Sequence, residues 1–393
     1  MRVCHITTRF IRGGACENTA YSCNGQVAAG HEVHLIAGRG SEPEQFELLR
    51  PEVRVWHASM MVWRLSPYLD IVGFFQLVSM LLRIRPDIVH THQSKAGILG
   101  RIAAYLVRVP TIVHTVHILP FVNVTPAQAF FYRTLERLVA PLTDVFINVG
   151  KEMRDECLKA RIGNPDRHVV IPSGMDLTKF SKDLRKRIRW SEVFDARGIG
   201  VSNPRFVLLV SRLEERKGQL EFLSAFAEVA KEFPDIVLAI AGEGPDQGRI
   251  ADRIRELGLS GRAILAGFRK DIERLMAVAN VGILTSRREG LPRVLVQYAL
   301  MSLPIVATDI PGAREIVTPG VNGFLAPPGD WTAMRESLTR LLREPEICRR
   351  FAMAQGRLDF SNWSIEGMNK QLDLLYETLR QNKLNRRGLN SSN

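Results

Sequence analysis

The chain is poor in several things, and each shortage closes off a class of protein. Its 393 residues hold five cysteines, Cys4, Cys16, Cys23, Cys157 and Cys348, an odd number with no Cys-x2-Cys spacing. Neither a disulfide framework nor a zinc site is expected from that pattern, and a reducing compartment is. No Asp-x-Asp pair occurs anywhere in the chain. The longest apolar stretch, Ile71 to Leu82, falls short of the ~20 residues of a membrane span and reads as a buried or interfacial helix. Met1-Arg2-Val3-Cys4-His5-Ile6 runs directly into a strand without the apolar region and cleavage site of a signal peptide, so a cytoplasmic location is expected.

What is present describes a soluble globular protein. Hydrophobic residues make up 46% and charged residues 24%, and the length exceeds what one hydrophobic core serves, which predicts two domains. The formal charge of +12 fits nucleic acid, an anionic membrane face or an anionic substrate. Lysine and arginine are spread over both halves, with local clusters only at Lys182 to Arg189 and Arg380 to Arg387, and no aromatic interleaving accompanies them. Nucleic acid is therefore not expected as a partner.

Short apolar runs alternate with helical stretches throughout, the pattern of parallel sheets covered on both faces. In the first half the runs are Val3 to Ile6, Val33 to Ile36, Val53 to Val55, Ile88 to His90, Thr111 to His114, Val145 to Val149 and Val169 to Ile171. The second half repeats the alternation at Phe206 to Val210, Val237 to Ala241, Ala263 to Leu265, Val281 to Leu284, Ile305 to Ala307 and Gly323 to Ala326. A helix from Asn18 to Ala29 is expected after the first run. Near the end, Ile365, Met368, Leu372, Leu375 and Leu379 recur at helical spacing.

The polar groups with chemical potential cluster where these runs end, the side on which open parallel sheets bind ligands. After the first run, Gly13 and Gly14 either form a plain turn or let the backbone approach a phosphate at a helix N-terminus. After the fourth come His92, Ser94 and Lys95; after the fifth come His114 and His117. The two histidines have the spacing of metal ligands but no acidic or third histidine partner nearby in the sequence. Beyond Val210, Ser211-Arg212-Leu213-Glu214-Glu215-Arg216-Lys217-Gly218 is either a solvated charged loop or a clamp in which Arg forks onto phosphate oxygens and Lys adds a point charge. After Leu284, Glu289-Gly290-Leu291-Pro292 leads into a helix carrying Val294, Leu295, Tyr298 and Ala299. There Glu289 either complements the helix dipole or sits beside free backbone N–H groups that attract sugar and phosphate oxygens.

The stretch from Glu289 to Gly312, GLPRVLVQYALMSLPIVATDIPG after the acid, resembles the signature of the family 4 retaining glycosyltransferases. The usual form has a second Glu eight residues after the first; here that position is Gln297. Segments at His90 to Gly97, Val113 to Phe121 and Val170 to Phe180 resemble the same family, with Ile118-Leu119-Pro120-Phe121 standing where Gly-Phe-Pro-Phe is common. Arg212 and Lys217 match the five-residue separation of the family's diphosphate cations.

The resemblance implies an α/β, GT-B architecture: two facing Rossmann-like doubly wound parallel-sheet domains, with a C-terminal helix crossing back to the first. The expected division is 1–180 for an acceptor domain, 181–203 for a linker, 204–360 for a nucleotide-sugar donor domain, 361–382 for the crossover helix and 383–393 for a polar tail. It implies transfer of a hexose from a nucleoside diphosphate, expected to be UDP, with no Asp-x-Asp metal site, no metal and no cofactor. His117, Glu289, Arg212 and Lys217 are the expected catalytic residues. Gly13, Gly14, Arg269, Gly290, Leu291, Arg293, Val294 and Gln297 join them in donor binding, with Arg269 in a loop whose backbone reads the base. Ser94, Lys95 and His92 are candidates on the acceptor side, where a glycan, a lipid-linked glycan or a small molecule is expected. The apolar Ile71 to Leu82 helix and the basic surplus fit weak attachment to an anionic membrane face, or else that helix is plain core. Two other readings stay open: a non-catalytic sugar-nucleotide-binding subunit, suggested by Gln297 and Ile118, and a sugar-nucleotide epimerase of related fold.

Overall fold

Every apolar run named above becomes a strand in the structure, a computed structural model that describes residues 1–122, 124–195 and 198–390, with side chains through 383. The first seven strands are β1 (Arg2–Thr7), β2 (Glu32–Gly38), β3 (Arg54–Ala58), β4 (Ile88–His92), β5 (Thr111–Val116), β6 (Val145–Asn148) and β7 (His168–Val170). They form one all-parallel sheet in the order β3-β2-β1-β4-β5-β6-β7. The helices between them are α1 (Gly14–Ala28), α2 (Pro67–Ile84), α3 (Ser94–Leu106), α4 (Pro126–Val139) and α5 (Lys151–Lys159).

The second set is β8 (Arg205–Val210), β9 (Ile236–Ala241), β10 (Ala263–Gly267), β11 (Ala279–Leu284), β12 (Ile305–Thr308) and β13 (Gly323–Ala326). Their order, β10-β9-β8-β11-β12-β13, is again parallel throughout. The helices are α6 (Gln219–Glu232), α7 (Gln247–Glu256), α8 (Ile272–Val278), α9 (Arg293–Leu300), α10 (Trp331–Arg343) and α11 (Pro345–Gln355), followed by the long α12 (Ile365–Asn390). Both orders reverse direction once, between β1 and β4 and between β8 and β11. Such a switch point opens a crevice at the carboxyl ends of the two strands.

The chain divides into two units, 1–175 with 361–393, and 176–360. In the first, Met368, Leu372 and Tyr376 of α12 join Val3, Ile88, Val113 and Ile147 in one buried cluster. Each such fully buried side chain contributes about 1.5–3 kcal/mol. The second unit has its own core, built from Val207, Leu209, Phe222, Phe226, Leu238, Ile283 and their neighbours.

Three details depart from the expectations. Helix α1 begins at Gly14 rather than Asn18, because its buried face is largely polar (Asn18, Thr19, Ser22, Gln26) and carries no apolar period. The basic stretch 181–203 is folded onto the second unit by short apolar anchors: Phe194 stacks on Phe206 with centroids 4.6 Å apart, and Val193 and Ile199 are buried. Two of its residues, 196 and 197, lie outside the described set. The expected tail from 383 is helical through Asn390, while 391–393 and the side chains from 384 onward also lie outside it.

Helix α2 is neither plain core nor fully covered. Gly73, Leu77, Leu81 and Ile84 face inward, whereas Tyr68, Ile71, Phe75 and Leu82 recur at helical spacing on the exposed side. By length and composition it is apolar enough to cross a membrane, with only 22% of it buried.

Candidate functional site

In the second unit the loops after β8 and β11, the two strands at the switch point, are stitched together by backbone contacts. The Thr285 hydroxyl donates to the Lys217 carbonyl, the Arg287 amide donates to the Arg216 carbonyl at 2.8 Å, and the Thr308 hydroxyl donates to the Ser286 carbonyl. Gly218 ends the turn at φ 69°, where a Cβ would stand 2.5 Å from the Thr285 carbonyl oxygen. No other residue fits that approach without displacing the turn. On the other side, Gly242 lies so close to the Ser211 carbonyl that a Cβ would overlap it at 1.9 Å. Leu213 N–H donates to the Glu243 carbonyl at 2.9 Å. The charged loop expected to be either solvated or a clamp is thus held rigidly on both flanks.

Three of the expected residues meet here. Lys217, 8% exposed, donates from Nζ to Glu289 Oε1, and the Ser286 hydroxyl donates to the same oxygen at 2.8 Å. Arg216 reaches Glu289 Oε2 at 4.0 Å and Glu214 Oε1 at 2.6 Å, and Glu214 Oε2 lies 3.7 Å from Arg212 Nε. Arg288 is half-buried beside them. Burial, and then the nearby Arg216, lower its proton affinity, with Glu289 opposing them. Among these six groups there are four cations (Arg212, Arg216, Lys217, Arg288) and two carboxylates (Glu214, Glu289). The surplus of two positive charges in a confined space suits a bound dianion.

Helix α9 supports the acid-bearing turn from below. Tyr298 is fully buried, and its hydroxyl donates to the Leu208 carbonyl of β8 at 2.8 Å while accepting from Val210 N–H at 3.3 Å. Its ring lies flat on Gly282, where a Cβ would come within 2.5 Å. This fixes the start of α9, so that Gly290, Leu291, Arg293 and Val294 follow Glu289 directly, and the Pro292 ring and the Gly290 carbonyl rest against Gly312. Gln297 is half-buried on α9, and its side-chain amide has no partner among the described residues. Arg269 sits just past β10 with its guanidinium already committed: two bonds of 2.7 Å to Asp271 and one of 3.0 Å to the Val193 carbonyl. Any ligand contact there falls to the backbone.

The first unit collects the remaining residues at its own switch point. Gly13, at φ 148°, precedes α1, which begins at Gly14. Ser94 opens α3. Lys95 is held by Asp70 of α2, 2.6 Å from Nζ, and is mostly buried, so it braces α2 rather than facing an acceptor. His92 is wholly buried, its nitrogens 2.8 Å from His5 Nδ1 and 3.0 Å from His117 Nε2; it stands behind His117 instead of at a surface. His117 is half-buried and lines a hollow with Ser94, His114 and Phe121. His114 turns away from His117 and bonds Thr91 at 2.9 Å. His5, His90 and His92 bring ring nitrogens within 4.8 Å of one another. Both nitrogens of each already have hydrogen-bond partners. Burial pushes His5 and His117 down to about 4 and holds His90, His92 and His114 well below the usual imidazole range.

Residues 12–179 match the family model described as Glycosyltransferase Family 4, and residues 195–355 match the model described as Glycosyl transferases group 1. The chain is 30% identical over 300 residues to the UDP-Gal:alpha-D-GlcNAc-diphosphoundecaprenol alpha-1,3-galactosyltransferase of Escherichia coli, covering 75% of this chain and 76% of that one. The chain belongs to the family 4 glycosyltransferases. As a member of that family it is a glycosyltransferase of GT-B fold. It is also similar to the capsular polysaccharide biosynthesis glycosyltransferase CapM of Staphylococcus aureus, at 21% identity over 88% of this chain and 90% of that one. Among solved structures it is similar in fold to Alr3699/HepE of Anabaena in complex with UDP and glucose, with a TM-score of 0.77, 22% identity, and 96% and 99% of the two chains covered.

Sequence reasoning singled out Arg212, Lys217 and Glu289 in this glycosyltransferase but passed over Glu214, Arg216, Ser286 and Arg288, which complete their network. It also passed over His5, Gln26 and Tyr376 behind His117. The usable signal for His5 and His90 was a polar residue inside an otherwise apolar parallel strand, which must find a buried partner.

Proposed function

We propose that this enzyme moves a hexose from UDP-hexose to a lipid-linked glycan at an anionic membrane face, with retention at the anomeric carbon and without a metal ion. The observation that carries the reading is the convergence of Arg212, Arg216, Lys217 and Glu289 at the β8–β11 switch point. In the reaction the bond from the sugar's anomeric carbon to the diphosphate oxygen breaks, a bond from the acceptor hydroxyl oxygen forms, and the hydroxyl proton leaves to a diphosphate oxygen. The developing charge on the diphosphate falls to Arg212 and Lys217 and to the backbone N–H groups at the start of α9, a preorganised electrostatic stabilisation. Glu289 accepts from sugar hydroxyls, Gln297 from the ribose, and the loop of Arg269 meets the base. In the first unit, His117 serves as the sugar-contacting residue, Gly13 and Gly14 as donor contacts and Ser94 as an acceptor contact.

The UDP-Gal donor and the diphosphoundecaprenol acceptor in the name of the Escherichia coli relative support this choice of donor and acceptor classes. The exposed Tyr68, Ile71, Phe75 and Leu82 of α2, with the net positive charge, support a peripheral membrane location from the cytoplasmic side. The experiment is a thermal-shift screen of nucleoside diphosphates and their hexoses with and without EDTA. UDP and one or more UDP-hexoses are expected to raise Tm equally in both conditions. A shift only with another nucleotide, or only without EDTA, would overturn the donor or the metal-free mechanism respectively.

A further inference from the structure

A path of hydrogen bonds runs through the first unit from its C-terminal helix to His117. Gln26 Oε1 is 2.8 Å from His5 Nε2, His5 Nδ1 is 2.8 Å from His92 Nε2, and His92 Nδ1 is 3.0 Å from His117 Nε2. On the other side of the amide, Gln26 Nε2 donates to the Tyr376 hydroxyl at 3.2 Å. That hydroxyl lies 2.6 Å from His90 Nδ1, and His90 Nε2 lies 2.6 Å from the Thr115 hydroxyl. Gln26, His5, His90, His92 and Tyr376 are at most 1% exposed.

The direction of every bond on the path follows from the first. A neutral imidazole carries one N–H and one bare nitrogen, and these rings are neutral near pH 7 because burial disfavours their charged form. An amide oxygen only accepts, so His5 must carry its proton on Nε2 and accept at Nδ1. His92 then donates from Nε2 and accepts at Nδ1. His117 in turn donates from Nε2, which leaves its Nδ1 bare. That nitrogen has no partner among the described residues.

We propose that Gln26 and Tyr376 are positioning residues which, through His5 and His92, lock His117 in the Nε2–H tautomer and make its Nδ1 an obligate acceptor for a hydroxyl of the transferred sugar. The tautomer stands independently of the function proposed above; only the identity of the ligand hydroxyl rests on it. In this arrangement the amide oxygen faces His5, and the Tyr376 hydroxyl accepts from the amide nitrogen and donates to His90 Nδ1. A reversed amide would reverse each bond and put a proton on His117 Nδ1, turning an acceptor into a donor. A bare Nδ1 favours a sugar whose hydroxyl can donate and rejects one in which fluorine or hydrogen replaces it.

The test is nitrogen-15 NMR of the imidazole rings in the whole protein, compared between wild type and Gln26→Met. In the wild type His5, His92 and His117 are each expected as a single Nε2–H tautomer; a protonated Nδ1 or a mixture at His117 overturns the relay whether or not the chain transfers sugar. In Gln26→Met, His117 is expected to show both tautomers. The KM for UDP-hexose is expected to rise about fivefold, the loss of one neutral hydrogen bond, with affinity for UDP alone unchanged. An unaltered tautomer in this variant removes Gln26 from the relay, and an unaltered KM despite a mixed tautomer removes the sugar contact. If Gln26→Met does not fold, Tyr376→Phe takes its place, since it deletes the hydroxyl that partners the amide nitrogen, and the same outcomes decide. Failure of wild type to bind any UDP-hexose would instead sink the proposed function and leave the tautomer result standing.

Discussion

Lys217 Nζ donates to Glu289 Oε1 between two loops that are 72 residues apart in the chain. The cation proposed for the diphosphate is therefore already matched with the carboxylate proposed for the sugar. A bound donor has to share both partners, which couples recognition of its two ends.

That pairing separates stability from activity. Lys217→Ala leaves a mostly buried carboxylate with a weaker set of partners, and both Tm and activity are expected to fall, with kcat/KM lower by on the order of 10²–10³. Lys217→Met combined with Glu289→Gln removes one charge of each sign and leaves no carboxylate stripped of its lysine, so Tm should return toward the wild-type value while transfer stays lost. Recovery of transfer in the double variant would show that the pair serves only the fold.

Gln297 offers a neutral acceptor where the family's usual signature has a carboxylate. Gln297→Glu should strengthen the ribose contact by about 1 kcal/mol, the difference between charged and neutral hydrogen bonds, and lower donor KM by about fivefold, with kcat nearly unchanged. Steady-state kinetics over a range of donor concentrations reads this directly, and a KM that does not improve counts against placing the ribose at α9.

The buried histidines make the first unit acid-sensitive. His5 and His117 titrate near 4 when folded, below the usual 6.5, so between those values the unfolded chain binds more protons than the folded one. Stability is fully present above about pH 6.5 and falls as pH drops toward 4. For fully buried His5 alone the slope approaches about 1.4 kcal/mol per pH unit within that window. Urea denaturation at pH 7.5, 6 and 5 should show the loss, and His5→Gln should flatten it; equal midpoints at all three values would contradict the burial described for these rings.

The outward stripe of α2 predicts binding to lipid. Ile71→Glu with Phe75→Glu should abolish sedimentation with vesicles containing anionic phospholipid and leave the unfolding free energy within about 1 kcal/mol of wild type, because both side chains are exposed. Wild-type protein that stays in the supernatant with such vesicles at low salt would dismiss the membrane face as a partner.

The sheets were legible because strands of a parallel sheet are buried on both faces and read as unbroken apolar runs. The residues at their carboxyl ends were legible for a related reason: Arg212, Lys217 and Glu289 follow Val210 and Leu284 within a few positions, so one topological rule puts them on one side. What escaped was whatever depends on distant partners. His5, Gln26, His92, His117 and Tyr376 span nearly the whole chain, and no local period marks them. Lys95 looked ligand-facing because its salt bridge to Asp70 links two helices and leaves no local trace. The sidedness of α2 was hidden too, since an apolar stripe on its outer face has the same period as one on its inner face.

Residues 361–393 complete the unit begun by residues 1–175, with the other unit's sequence inserted whole between them. During synthesis, the inserted portion can finish folding while its predecessor still waits for Met368, Leu372 and Tyr376 to leave the ribosome. Until then a flank of the first sheet stays uncovered, and the amide of Gln26 has nothing to hold it in place. A nascent chain arrested before position 361 should therefore carry one protease-resistant half and one digestible half.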